Sequence, residues 1–202
     1  FFYVMELTAK ELELRFNTFL IVFARYLSQL ILLLIIFNKQ FKTHLKSNHK
    51  PLQILRGALL MITTCFMFTG LAYLQFAENI SIYMIGPVIT TILAILILKE
   101  KILFTQILVV IIGLIGALII ASPNKGSFNY AVIFPFLAAL CFAFFTISTK
   151  FLNTSDSNQT TLLFTAITGT ILSLPFIIYF WKWPNLYDTL LMFCLGFLAT
   201  AG

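Results

Sequence analysis

Long apolar runs alternate with short polar connections along most of this chain. Residues 80–122 show the pattern most clearly, because two apolar runs there are separated only by Lys99, Glu100 and Lys101. An α-helix needs about 20 residues to cross the roughly 30 Å hydrocarbon core of a bilayer. So short a connection requires the two helices to be antiparallel neighbours. The stretch therefore predicts a membrane hairpin of two helices.

The same reading of the whole chain predicts eight membrane-spanning helices. Their expected ranges are 1–12, 18–37, 54–76, 80–98, 103–121, 130–152, 160–180 and 186–202. The first begins without an initiator Met, a basic n-region or a cleavage site, so it does not have the features of a signal peptide. We expect the first and the last helix to be truncated members of a larger all-α bundle.

Composition supports a multi-pass membrane protein with the lipid bilayer as its main partner, and we expect the membrane to be a bacterial inner membrane. Of the 202 residues, 60% are hydrophobic and 10% are charged, which is more apolar surface than a soluble domain of this size can bury. The net charge of +6 does not indicate nucleic-acid binding, because the basic residues are spread between the apolar runs. The side of the predicted topology that carries more Lys and Arg residues is the cytoplasmic one. It carries Lys39, Lys42, Lys46, Lys50, Arg56, Lys99, Lys101 and Lys150, against Lys10, Arg15, Lys125 and Lys182 on the other side.

A weak internal similarity relates the second predicted helix to the seventh. Residues 17–24 align with residues 159–166 at a constant offset, mostly through apolar positions, so chance explains the match about as well as duplication. The two copies are five spans apart, and an odd number of crossings inverts the second copy relative to the first. We expect one five-helix repeat in residues 1–121 and the start of a second in residues 129–202. Ten helices would complete the bundle.

Polar residues inside the second helix are the first candidates for a substrate path. Arg25 lies within an apolar span, where a cation costs about 2.5 kcal/mol or more unless it faces water or a partner. Gln29 shares its helix face at i+4, and Tyr26 is adjacent. Arg25 either lines a solute path, extends to the outer interface or braces a neighbouring helix. Glu6 on the preceding helix is its candidate charge partner.

The fourth predicted helix supplies the other candidates. Pro87 interrupts its hydrogen-bond ladder and predicts a kink, either static or flexing during transport, with Ser81 and Tyr83 before it. Glu78 stands just before this helix, where an acid more often complements the helix dipole than couples to protons.

A stripe of threonines occupies one face of the seventh predicted helix, at Thr161, Thr165 and Thr168. Such hydroxyls commonly donate to carbonyls of their own helix, so the stripe is more often structural than a binding surface.

No enzyme constellation is recognisable, which favours transport over chemistry. The chain lacks HExxH, GxSxG, Walker glycines and an acidic metal cluster, and nothing in it indicates a metal or a cofactor. Its three cysteines, Cys65, Cys141 and Cys194, lie in apolar runs without CxxC spacing. A secondary transporter remains, with a non-transporting receptor or assembly subunit as the alternative. A homodimer is compatible with either.

The ordered set of motifs resembles the EamA family of the drug/metabolite transporter superfamily. It comprises Leu55, Arg56 and Gly57, the Ala77–Ile80 turn, Pro87, the Lys99–Lys101 triplet in which Lys replaces the family's Gly, Gly113 and Gly116, and the Trp183–Pro184 turn. The resemblance implies ten helices in two inverted repeats around a central cavity, with the last two absent from this chain. It also implies solutes such as amino acids, nucleosides or similar metabolites, including S-adenosylmethionine.

Overall fold

A computed structural model describes residues 2–38, 41–99, 107–108, 110–113, 115–116, 130–153 and 155–201. The regular structure of these described residues is helical, without a strand. We number the main helices α1 (Phe2–Glu13), α2 (Thr18–Phe37), α3 (Phe41–His44), α4 (Lys50–Tyr73), α5 (Phe76–Tyr83), α6 (Gly86–Leu98), α7 (Ile133–Leu152), α8 (Asn158–Phe180) and α9 (Leu186–Ala201). Most of the predicted fifth helix lies outside the described residues.

Within the described residues, five segments are long and apolar enough to cross a membrane, and α9 is a shorter apolar helix. They are Thr18–Phe37, Lys50–Tyr73, Phe76–Leu98, Tyr130–Leu152 and Asn158–Phe180. The prediction of an all-α polytopic membrane protein is therefore confirmed, whereas the ten-helix inverted repeat remains a prediction. α4 begins four residues before the predicted start, because Pro51 near its first turn has no backbone N–H to leave unsatisfied there.

The predicted fourth helix is broken rather than continuous. α5 ends at Tyr83 and α6 begins at Gly86, so the interruption falls at Met84 and Ile85 and not at Pro87 itself. Proline lacks the N–H that would bond the carbonyl four residues earlier, and its ring collides with that carbonyl. The carbonyl in question belongs to Tyr83, which explains why α5 stops there. Pro87 then occupies the first turn of α6, where it is well tolerated.

α6 ends at a residue in the left-handed region. Lys99 has φ of 52°, and its backbone N–H donates to the Ala94 carbonyl. This is the position at which helices commonly place glycine, since a Cβ is strained there. The EamA-like triplet with Lys in place of Gly therefore fills a site whose geometry favours glycine.

The chain forms two compact units. The terminal unit comprises residues Phe1–Met61 and Lys150–Gly202, and the central unit comprises Ile62–Thr149. These unit boundaries differ from the boundaries of the expected five-helix repeats. The repeats describe internal symmetry, and they remain a prediction.

α2 forms the core of the terminal unit. It packs against α8 and α9, and α1 packs against α9. Two glycines make the close approach: a Cβ at Gly169 would lie 2.5 Å from Tyr26 Cγ, and one at Gly196 would lie 2.6 Å from the Gln29 backbone nitrogen. Small residues at such crossings let membrane helices approach each other closely. This packing holds in place the α2 polar strip, which consists of Arg25, Tyr26 and Gln29.

The central unit is tied together by a buried amide. Asn79 at the start of α5 is buried, and its Nδ2 donates to the Met67 carbonyl on α4 at 3.2 Å. Aromatic rings add to the packing, with Tyr73 stacked 6.1 Å from Phe134 of α7. α4 therefore contributes its later turns to the central unit and its first turns to the terminal unit.

Candidate functional site

The predicted polar strip of α2 is buried inside the terminal unit. Arg25 lies about 10 Å along the helix from its start and is only 7% exposed. Its Nη1 donates to the Tyr26 hydroxyl at 3.3 Å, and its guanidinium carbon lies 4.9 Å from the centre of that ring. Gln29, also buried, donates through Nε2 to the Ala199 carbonyl of α9 at 3.4 Å. Such burial disagrees with extension of Arg25 to the interface.

Glu6 on α1 is fully buried and lies close enough to Arg25 to interact with it electrostatically. Glu6 thus lies near Arg25, and their partnership remains a prediction. Among the described residues, neither carboxylate oxygen of Glu6 has a hydrogen-bond partner, and neither has Oε1 of Gln29. Glu13, two turns along α1, adds a second carboxylate that interacts electrostatically with Glu6. α1 therefore places two carboxyl groups near the positive charge on α2.

Arg56 belongs to the same cluster, although the sequence analysis counted it only among the cations of the cytoplasmic side. It is 7% exposed and lies inside α4, since that helix begins at Lys50. Its Nη1 donates to Thr165 Oγ1 at 2.6 Å and to the Thr161 carbonyl at 3.3 Å. Arg56 also interacts electrostatically with Tyr26. The cluster thus contains two buried guanidinium groups, one on α2 and one on α4.

The threonine stripe of α8 has both a structural role and a partner. Thr165 Oγ1 donates to the Thr161 carbonyl at 2.8 Å, and Thr161 Oγ1 donates to the Ser157 carbonyl at 3.0 Å, as predicted. The same Thr165 oxygen accepts from Arg56. The stripe was therefore the sequence signal that could have located Arg56, because a line of buried hydroxyls offers acceptors to a neighbouring cation.

One end of the terminal unit is closed by hydrogen bonds to Asp156, in the loop between α7 and α8. Its carboxylate accepts from Ser47 Oγ at 2.5 Å, from Gln53 Nε2 at 2.8 Å and from the Asn48 backbone nitrogen at 3.2 Å. Burial acts to raise the pKa of Asp156, but these hydrogen bonds outweigh it, so the pKa lies below its ordinary value. The contact also agrees with the predicted topology, which places both loops on one side of the membrane.

The other end of the terminal unit is closed by an ion pair. Arg15, between α1 and α2, contacts the buried Asp188 of α9 at 2.8 Å. Lys182 Nζ donates to the Arg15 carbonyl at 3.0 Å, and the Tyr187 hydroxyl donates to Glu11 Oε1 at 2.9 Å. Arg15 and Lys182 were both predicted to lie on the non-cytoplasmic side. The buried cluster of Glu6, Arg25 and Arg56 is therefore in a unit joined by polar contacts at both ends.

A small cavity next to α2 is apolar. Its volume is about 130 Å³, and its lining includes Leu20, Leu27, Trp181 and Met192. Ser28 also lines it, but the Ser28 hydroxyl is already bonded to the Met192 carbonyl at 3.1 Å. The cavity can accept an apolar group and offers a polar solute nothing to bind. The charged cluster is the stronger candidate site.

The remaining predicted residues belong to the central unit. Ser81 is buried and donates to the Ala77 carbonyl of its own helix at 2.7 Å, and the Tyr83 ring lies 5.6 Å from that of Phe142. Pro87 opens α6. Glu78 lies in the first turn of α5, where its charge complements the helix dipole. Tyr26, Arg25, Gln29 and Glu6 are thus brought together in the terminal unit, while these four lie in the other unit.

Metal ligation has no support in the part of the chain that the structure describes. No group of three His, Cys, Asp or Glu residues there is arranged to hold an ion. The three cysteines are free thiols. The chemistry available to the cluster is accordingly charge and hydrogen bonding.

Apolar helices of membrane-crossing length, together with a charged cluster buried in the terminal unit, define a multi-pass helical protein of the cell membrane. The EamA-like transporter family matches residues 4–122, more than half of the chain. The chain belongs to this family. A solved crystal structure with 15% sequence identity shares the fold, with a TM-score of 0.72 over 96% of this chain and 71% of that one.

Several relatives are named as uptake transporters. The S-adenosylmethionine uptake transporter of Rickettsia prowazekii is 28% identical over 193 residues, which is 96% of this chain and 66% of the relative. Its counterpart in Rickettsia bellii is 30% identical over 95% of this chain and 66% of the relative. The riboflavin transporter of Brucella anthropi is 29% identical over 66% of this chain and 47% of the relative. The chain thus spans 66% of the length of the two Rickettsia relatives.

Proposed function

We propose that the whole protein is a secondary transporter of the bacterial inner membrane that carries a small organic metabolite, and that its substrate is S-adenosylmethionine or a closely similar solute. The observation that carries the proposal is the buried cluster of Glu6, Arg25 and Arg56 within an apolar helical bundle. Charged side chains in a membrane interior are costly and commonly mark a solute or ion pathway. The names of the Rickettsia relatives support the choice of solute.

Transport needs differential binding and no bond chemistry. A carrier exposes one site alternately to the two sides of the membrane, and the solute must stabilise the states that carry it across. In this proposal Arg25, Tyr26 and Gln29 line the path in the terminal unit, and Ser81, Tyr83 and Pro87 line it in the central unit. Residues 1–121 and 129–202 would belong to two inverted repeats. The protein then acts as a carrier and not as an enzyme.

The alternative of a non-transporting membrane protein predicts a charged cluster with a purely structural role. The two hypotheses differ in what a substitution changes. If Arg25 binds solute, Arg25→Lys should preserve folding and reduce uptake. If Arg25 only braces helices, loss of function should follow loss of folded protein.

The test is uptake of radiolabelled S-adenosylmethionine by liposomes that contain the full-length protein. We expect saturable uptake, at least about 10-fold slower for Arg25→Ala, since removing one charged hydrogen-bonding group from a site costs about 1.5–3 kcal/mol. Lys46→Ala is the control, because Lys46 is exposed and lies outside the cluster. Folding of each variant is checked by size-exclusion chromatography. Wild-type liposomes that take up neither S-adenosylmethionine nor competing amino acids and nucleosides would contradict the proposal.

A further inference from the structure

The buried cluster contains hydrogen-bond acceptors without donors. Both carboxylate oxygens of Glu6 and Oε1 of Gln29 have no hydrogen-bond partner among the described residues, although both side chains are buried. Leaving a buried acceptor unsatisfied costs about 1–3 kcal/mol, and more when the group is charged. A site that retains such acceptors is suited to a ligand that brings its own donors.

The positions of these acceptors indicate the charge of the missing donor. Glu6 interacts electrostatically with Arg25, and Gln29 lies one turn from Arg25 on the same face of α2. A second carboxylate, Glu13, lies near Glu6 on α1. A group that binds on the α1 side of Arg25 therefore meets the carboxyl oxygens of Glu6 and the amide oxygen of Gln29. An ammonium group supplies three donors and a positive charge, so it matches this side.

The other side of the cluster is positive. Arg25 lies over the Tyr26 ring, and Arg56 interacts electrostatically with the same tyrosine. Guanidinium groups suit carboxylates in geometry and charge. The site thus has carboxyl groups on its α1 side and guanidinium groups on α2 and α4.

We infer that Glu6 and Gln29 bind the ammonium group of an α-amino-acid moiety whose carboxylate lies toward Arg25 and Arg56. This inference rests on the proposed transport function and specifies which part of the solute the terminal unit recognises. S-adenosylmethionine carries such a moiety, whereas riboflavin carries neither an ammonium group nor a carboxylate. The apolar and nucleoside parts of the solute are left to other residues.

The experiment measures binding of a ligand series to the full-length protein in nanodiscs. S-adenosylmethionine and S-adenosylhomocysteine retain the amino-acid moiety, decarboxylated S-adenosylmethionine lacks the carboxylate, and methylthioadenosine lacks the whole moiety. We expect the first two to bind within about 10-fold of each other. Each loss of a charged group should weaken binding about 10- to 100-fold, the range for one charge-assisted hydrogen-bonded group.

Substitutions in the protein test the proposed binding of the ammonium group. Glu6→Gln keeps the shape of the side chain and should weaken S-adenosylmethionine about 10- to 100-fold while leaving methylthioadenosine unchanged. Glu11→Gln on the same helix is the matched control, because Glu11 is exposed near Arg15 and can still accept from Tyr187 as an amide. If Glu6→Gln does not fold, the same comparison with Gln29→Leu and the wild-type ligand series decide the question.

Two outcomes separate this inference from the proposed function. Equal binding of methylthioadenosine and S-adenosylmethionine, with uptake of S-adenosylmethionine intact, would overturn the amino-acid site and leave transport standing. Absence of any uptake in liposomes would instead overturn the function. Selective loss of amino-acid-bearing ligands in Glu6→Gln would support the site.

Discussion

α2 and the broken span of α5 and α6 are equally apolar and have different environments. Their most apolar windows have the same mean hydropathy, yet 50% of the α2 window is buried against 17% of the window in Phe76–Leu98. α2 carries Arg25, Ser28 and Gln29 on its buried face, whereas α6 exposes Ile92, Ile95 and Leu96. Hydropathy therefore identifies helices that cross a membrane, and the placement of polar residues indicates which of them has a protein-facing side.

The difference follows from what each environment can satisfy. Lipid offers no hydrogen-bond partner, so a polar side chain in a span has to face protein or water. An isoleucine side chain is about as stable against lipid as against an apolar protein surface, because both surroundings are apolar. Substitutions at buried and at exposed positions can therefore test this contrast.

The largest effect is expected from removing the central ring of the α2 cluster. Tyr26 is fully buried, so Tyr26→Ala should reduce the free energy of unfolding by about 3–5 kcal/mol, as for other large aromatic truncations. Ile92→Ala on the exposed face of α6 is the comparison and should cost less than about 1 kcal/mol. Reversible unfolding in mixed micelles of dodecyl sulfate and a mild detergent measures both. Similar losses at the two positions would remove the contrast between the helices.

The packing of α8 on Tyr26 gives the second effect. Gly169→Ala places a methyl group against the ring, so we expect a loss of about 1–3 kcal/mol, the range for overpacking. At Gly113 a Cβ would meet no described atom within 4 Å, and Gly113→Ala should be neutral or slightly stabilising. Melting temperatures of the purified variants are the measurement. A stable Gly169→Ala protein would show that the ring can move aside.

The end of α6 provides a test with the opposite sign. Lys99 is in the left-handed region, so Lys99→Gly should stabilise the protein by about 1 kcal/mol by relieving the strain of a Cβ. Lys99→Ala removes the same charge and keeps the Cβ, so it should give no such gain. The same unfolding assay compares the two variants. Equal stabilisation by both would attribute the effect to charge instead of backbone conformation.

The smallest effect concerns pH at the Asp156 end of the terminal unit. Its pKa in the folded protein is below the ordinary value of 3.8, so the unfolded chain takes up the proton first as pH falls. The stabilisation is present above about pH 3.8 and is lost as pH falls through the lower folded pKa. Asp156→Asn should lower stability by about 0.5–1 kcal/mol at pH 7 and flatten this part of the pH profile. Melting curves between pH 7 and pH 3 test it, and parallel profiles for both proteins would contradict it.

Much of the architecture could be read from the chain because it depends on local properties. Helix α2 was predicted with the bounds that the structure has, and the i, i+4 spacing placed Arg25 and Gln29 on one helix face, without deciding that this face is buried. The position of the break near Pro87 was less accurate. A proline acts on the carbonyl four residues earlier, so the interruption precedes it.

Sequence alone determined that this protein is a helical membrane protein of the EamA type with polar residues on the inner face of α2. Apolar content and helical periodicity are properties of neighbouring residues, and the chain displays them directly. Only the tertiary structure decided that Arg56 is buried against Thr165, 109 positions away, and that the buried carboxyl oxygens of Glu6, near Arg25, have no hydrogen-bond partner among the described residues. Such partners depend on which helices pack together. Hydropathy cannot predict that packing, because apolar helices are similarly stable in contact with lipid.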